Sequence, residues 1–231
     1  MLIEVIAETV EDACEAEQGG AGRIELVRDL GRGGLTPDLA TIDAVIRAVR
    51  IPVRVMLRDS EPFELSDAAE PTRLHAIARA AHDCGVAGFV AGFIRDGAPW
   101  LPAIQEILGG LDASLTFHRA FEALERQADA MAMLARDARI DRILTSGGSG
   151  TWAERLARLV ALRDAAPPGL HILPGGGLDG DAIRSLAAGG FAEAHVGTAV
   201  RVPADARGRV SARRVATLVA IAISASPADP S

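Results

Sequence analysis

The chain has no lysine: all 24 of its basic residues are arginine. Schiff-base chemistry needs a lysine amine, so lysine-dependent aldolase and pyridoxal mechanisms are excluded. A Walker A loop ends in lysine and is excluded with them. Tyrosine is absent as well, which removes the phenol as an acid or base. The two cysteines, Cys14 and Cys84, form no metal-ligand spacing. Both are expected to be small buried residues, and a reducing, cytoplasmic setting is the default. There is no excess of positive charge: the formal charge is −7, which argues against a nucleic-acid partner. No apolar run approaches the roughly 18 residues that span a membrane. The N-terminus carries Glu4 and Glu8 and no basic segment of a signal peptide. No low-complexity linker or break in composition divides the chain.

What is present is a repeating alternation. The 231 residues are 49% hydrophobic, ample for a well-filled core. Short apolar segments near 2–6, 23–27, 53–58, 87–93, 114–118, 141–145, 170–174 and 193–197 read as strands, each followed by a helical pattern. Thr9 reads as the N-cap of the first helix, which Gly19 and Gly20 end. Thr36 reads as the cap of the second, with Pro37 at its first position. Asp67 to Ala81 has helical apolar spacing, 124–138 and 151–166 continue the pattern, and a last helix is expected over about 211–224. Eight such units predict an α/β fold, a (β/α)8 TIM barrel, with no element left over. An open doubly wound sheet is the alternative. The expectation is one domain over 1–231, with 225–231 a frayed tail.

Barrel logic puts chemistry at the C-terminal ends of the strands, and side chains alternate across a strand. Glu4 facing inward takes Leu2 and Ile6 with it; Glu25 takes Arg23 and Val27. By the same parity Arg54, Met56 and Arg58 point inward from the third strand, Ser114, Thr116 and His118 from the fifth, and Glu193, His195 and Gly197 from the eighth. Arg23 and Arg54, near strand starts, read as structural partners. Arg58 and His118, at strand ends, read as site residues, and mid-strand Glu4 and Glu25 fit either role. His118 is the leading acid or base. Glu4 or Glu25 is its carboxylate partner, and Arg58 or Arg119 holds an anion; Arg119 has capping or ion pairing as its alternative. His75 and His82 lie on an outer helix, and His171 begins its strand at the wrong end for chemistry.

Three glycine-rich loops point to a small anionic molecule. They are "TSGGSGT" (145–151), "PGGGLDGDAI" (174–183) and "HVGTAV" (195–200). Their backbone N–H groups make Ser146, Gly147, Gly175, Gly176, Gly177, Gly197 and Thr198 the candidate anion site. The plainer reading is that such loops only turn tightly.

The series "IEVIAET", "GGAGRIEL", "GGLTP", "IPVRVMLR", "LTFHRAF", "DRILTSGG" and "ILPGGG" resembles the CutC copper-homeostasis family over about residues 2–200. The resemblance implies a cytoplasmic TIM-barrel protein that forms homo-oligomers, with copper as the bound metal. It also implies cysteines where this chain has Ile6 and Val27, both at the barrel mouth by parity. Cu(I) prefers soft ligands, and Met56 and His118 are what this lumen offers in their place. The loop "MLRDSEPFELSD" departs from the family's second arginine and paired glycines. Three functions remain open: copper homeostasis; an enzyme (lyase, isomerase or hydrolase) acting on a phosphorylated or carboxylated metabolite; and a non-catalytic scaffold whose lumen charges only satisfy one another.

Overall fold

Each barrel strand is short, apolar towards the helices and polar towards the axis. The computed structural model describes residues 1–226. Its eight barrel strands are β1 (Leu2–Ala7), β2 (Arg23–Leu26), β3 (Val53–Met56), β4 (Gly88–Ala91), β5 (Ser114–Phe117), β6 (Ile140–Thr145), β7 (His171–Pro174) and β8 (Glu193–Val196). All pair in parallel, in the order β8-β1-β2-β3-β4-β5-β6-β7. β7 and β8 lie side by side without a paired register and complete a nearly closed (β/α)8 barrel.

Eight helices surround it: α1 (Val10–Gln18), α2 (Leu39–Ala48), α3 (Glu70–Asp83), α4 (Leu101–Ile107), α5 (Gln127–Leu134), α6 (Trp152–Ala165), α7 (Gly180–Ala188) and α8 (Ala212–Ala225). The core lies between strands and helices. Ile3, Val5, Ile24, Leu26, Val53, Val55, Phe89, Leu115 and Phe117 point into it. A parallel strand covered on its outer face carries such β-branched and aromatic residues.

Side-chain caps start four of the eight helices among the described residues. The Thr9 hydroxyl accepts the Asp12 N–H at 3.1 Å and starts α1. Thr151 and Glu154 form a capping box on α6. The second helix differs from expectation. Asp38, not Thr36, is its cap and accepts the Thr41 N–H at 2.8 Å. The Thr36 hydroxyl instead bridges to the Arg58 backbone, donating to O at 2.9 Å and accepting from N at 2.8 Å. Thr-Pro-Asp offers two oxygens for one cap, and the tertiary bond takes the first. Two short antiparallel ribbons were also unforeseen, Ile94–Arg95 with Ala98–Pro99 and Arg201–Val202 with Arg209–Val210. The tail expected over 225–231 falls, beyond Ser226, outside the described residues; Ala225 still belongs to α8.

Candidate active site

The lumen has two storeys. At its N-terminal end the register sets Glu4 beside Arg23 and Leu2 beside Glu193. Arg23 donates to both Glu4 and Glu193. Arg142 Nε donates to Glu193 at 2.8 Å, and its NH1 bonds Asp141. Arg54 grips Asp141 with two bonds, at 2.7 and 2.6 Å, and reaches Thr116 Oγ1 at 2.7 Å. Neighbours on a strand normally face opposite ways, yet Asp141 and Arg142 both join this layer. A register shift opposite Leu115 and Thr116 leaves Asp141 unpaired in the β5–β6 ladder and turns it in. Buried charge is tolerated here because each group has an opposite partner.

The upper storey begins at His195. Its Nδ1 lies 2.7 Å from Glu4 Oε1, and its Nε2 lies 3.7 Å from Glu25 Oε2. Burial pushes the Glu4 carboxyl up, but the hydrogen bond from His195 and the charge of Arg23 outweigh it, and Glu4 sits below the usual range. Burial pulls His195 down; the charges of Glu25 and Glu4 overcome this and raise it. At Glu25 burial outweighs the charges of His195 and Arg23, which pull the carboxyl down. Burial, with the Glu4 charge adding to it, pushes its carboxyl up to about 7. Its Oε1 is buried without a hydrogen-bond partner among the described residues.

Above these residues a cavity of about 580 Å³ opens at the C-terminal ends of the strands. Glu25 and His195 line its base, and Ile6, Val27 and Met56 form an apolar wall. His118 Nδ1 accepts the Ala120 N–H at 3.1 Å, while its Nε2 is buried and unpartnered. Burial, then the charge of Arg58, pushes His118 down to about 3. The expected acid or base role of His118 is set against this shift. A ring that stays neutral, with one nitrogen occupied, takes up no proton near neutrality.

Other expected residues divide. Arg58, Arg119, Gly176, Gly177, Gly197 and Thr198 all line the cavity. The Arg58 guanidinium is largely used by backbone carbonyls of Ser60 (2.8 Å), Glu61 and Gly33 (3.3 Å). It therefore ties the β2–α2 and β3–α3 loops together. Arg119 pairs with Glu122 at 2.7 Å. The amides of Gly176, Gly177, Gly197 and Thr198 donate to no backbone carbonyl among the described residues. Glu4 lies beneath the cavity, behind His195. Ser146, Gly147 and Gly175 turn away from it. The Ser146 N–H bonds Glu122, Gly147 N–H bonds Thr145 Oγ1 at 3.1 Å, and Gly175 N–H bonds Thr145 O at 2.9 Å.

The sequence reading missed three contributors. His195 was placed in the lumen by parity but given no role. Glu122 and Phe63 line the cavity unannounced. Phe63 packs on the His118 ring with centroids 5.3 Å apart, and the Arg58 guanidinium carbon lies 5.0 Å from the Phe63 ring centre. Phe63 belongs to the loop that departs from the family pattern.

The family model described as "CutC family" matches residues 1–200. The chain belongs to the CutC family. A "Copper homeostasis protein cutC homolog" from Mus musculus is 35% identical over 197 residues, covering 84% of this chain and 72% of the relative. A "family protein CutC" from Xanthomonas campestris pv. campestris (strain B100) is 33% identical over 223 residues, covering 92% and 86%. A solved structure from Streptococcus agalactiae that carries the CutC name superposes with a TM-score of 0.78 at 25% identity, covering 86% of this chain and 98% of that one.

The CutC name raises copper, so the donor set matters. Ile6, Val27, Met56 and Val90 pack as one buried apolar cluster. Cys14 is exposed on α1 and Cys84 half-buried at the end of α3, not the buried residues expected. Among the described residues no group of three or more His, Cys, Asp or Glu is placed to hold a metal ion. The lumen offers one thioether and no thiolate, a poor match to the soft ligands Cu(I) prefers.

Proposed function

We propose that this CutC-family barrel is an acid–base enzyme for a small phosphorylated or carboxylated metabolite, with Glu25 as the group that carries the proton. The observation that supports this most directly is the Glu25 carboxyl. Its Oε1 is buried without a partner at the base of the cavity, and its pKa is pushed up to about 7. A proton carrier works best with a pKa near the operating pH. His195, held by Glu4, is the positioning residue behind it. The unbonded amides of Gly176, Gly177, Gly197 and Thr198, with Arg119 at the rim, supply the anion-binding side. A layer whose only task were mutual satisfaction would leave none of these groups open.

A thermal-shift screen with sugar phosphates and organic acids tests the reading. A true ligand at a hundred times its Kd adds about 2.7 kcal/mol and raises Tm by roughly 5–10 °C in a chain of this size. The Glu25→Gln variant should keep binding and lose turnover. No ligand-dependent shift across the screen sinks the proposal.

The second reading is the copper homeostasis that the mouse relative's name carries. It rests on kinship rather than on the donor set. Competition for Cu(I) against a chromogenic chelator decides it, since a copper handler must hold the ion against the dye. The cytoplasmic setting and homo-oligomeric state remain part of the proposal. No helix among the described residues is long and apolar enough to cross a membrane, and light scattering after size exclusion reads the assembly.

A further inference from the structure

We infer that the cavity is built for an enolisable carbonyl compound with an anionic end, its carbonyl oxygen held by the His118 Nε2–H and its α-proton taken by Glu25. The inference rests on the proposed role of Glu25 and adds the substrate class. Because His118 Nδ1 accepts the Ala120 N–H at 3.1 Å, it carries no proton. The neutral ring must therefore carry its hydrogen on Nε2. That atom is buried, has no partner and belongs to a residue lining the cavity.

The ring is also held in place. It seats against Gly92, where an added Cβ would fall 2.5 Å from Nδ1, and Phe63 and Phe117 pack on it at 5.3 and 6.2 Å. Among the described residues four buried side-chain atoms lack a partner, and two of them, Glu25 Oε1 and His118 Nε2, belong to this one cavity. Such atoms are costly to leave unpaired. An open acceptor and a fixed neutral donor, on β2 and at the end of β5, suit one kind of chemistry. The C–H bond next to a carbonyl breaks and its proton goes to the Glu25 carboxylate. The released pair forms the C=C bond while the carbonyl π pair moves to oxygen, where the Nε2–H stabilises it without being transferred. Return of the proton from Glu25 to carbon reverses the flow.

Two ligand pairs test this by calorimetry: phosphoglycolohydroxamate against glycerol 3-phosphate, and oxalate against lactate. The first member of each pair mimics an enolate. Wild type should favour the mimic at least tenfold in one pair. His118→Asn keeps an oxygen for the Ala120 N–H but withdraws the Nε2–H; it should abolish that preference and leave the saturated partner within about twofold. Long-range ¹⁵N spectra of wild type should show an Nε2–H tautomer unchanged from pH 5 to 9. Equal affinities within both pairs, a preference that survives in His118→Asn, or a His118 proton on Nδ1 overturns the inference while leaving an anion site standing. Binding of none of the four compounds removes the anion site and the inference together.

Discussion

The floor and the upper storey of the same lumen use the same residue types to opposite ends. On the floor, Glu4, Arg23, Glu193, Arg142, Asp141 and Arg54 form an unbroken succession of opposite charges. One layer above, Glu25 keeps one oxygen unpartnered and His118 keeps one nitrogen unpartnered. The difference lies in stoichiometry: Asp141, Arg142 and Glu193 on the floor are partly exposed yet fully paired, while the more deeply buried Glu25 and His118 are not. A lumen whose charges only satisfied one another would resemble the floor throughout. In the proposed function, the unpaired groups above it are completed by a ligand.

The sharpest way to break the comparison is at the floor. Arg23→Met strips Glu4 and Glu193 of their shared cation and should cost about 3–5 kcal/mol, read as a loss of Tm in thermal unfolding. A loss under about 1 kcal/mol would mean that the floor is not a stability element.

Glu25→Gln should act in the other direction. The folded pKa of Glu25 lies near 7, above the ordinary carboxyl value of 4.5. Between those values the native state holds a proton that the unfolded state releases, so wild-type stability falls as pH rises from about 4.5 to 7. The full effect is about 3 kcal/mol. His195, raised in part by the Glu25 charge, reinforces this slope as pH climbs past its ordinary value of 6.5. Urea unfolding at pH 5 and pH 8 should show the variant gaining on wild type at the higher pH. A stability difference independent of pH would contradict the assignment.

Arg58→Lys should cost about 1–2 kcal/mol, because an ammonium cannot reach the three loop carbonyls that the guanidinium holds. Its clearest sign is faster amide exchange in residues 30–34 and 59–63. Arg119→Gln should change stability by no more than about 0.5 kcal/mol, as its side chain is 54% exposed. It should still weaken anion binding in the same thermal-shift assay, and unaltered binding would take Arg119 out of the site.

Much of this contrast was legible in the chain. A strand's period of two sufficed to turn Glu4, Arg23, Glu25, Arg54, Arg58, His118 and His195 inward. Parity does not say which inward groups meet. The His195–Glu4 contact joins residues 191 apart and follows from barrel closure. Asp141 escaped because a bulge breaks the alternation that would have pointed it outward. Residue type could not say that His118 Nδ1 would be taken up by the Ala120 N–H, a detail of the turn. Ser146, Gly147 and Gly175 had the right chemistry in the right loops, but their N–H groups were already committed.

The cross-lumen floor also governs traffic. Arg23 reaches from β2 to β8, Arg142 from β6 to β8, and Arg54 from β3 to β6, so the barrel is stoppered at that end. On the proposed function, a ligand that enters over Gly176 and Thr198 leaves by the same door, against the next arrival. In a blind well of this kind, product departure and substrate entry exclude each other. On the proposed function, product and substrate share one mouth, and competitive inhibition by product is the pattern expected.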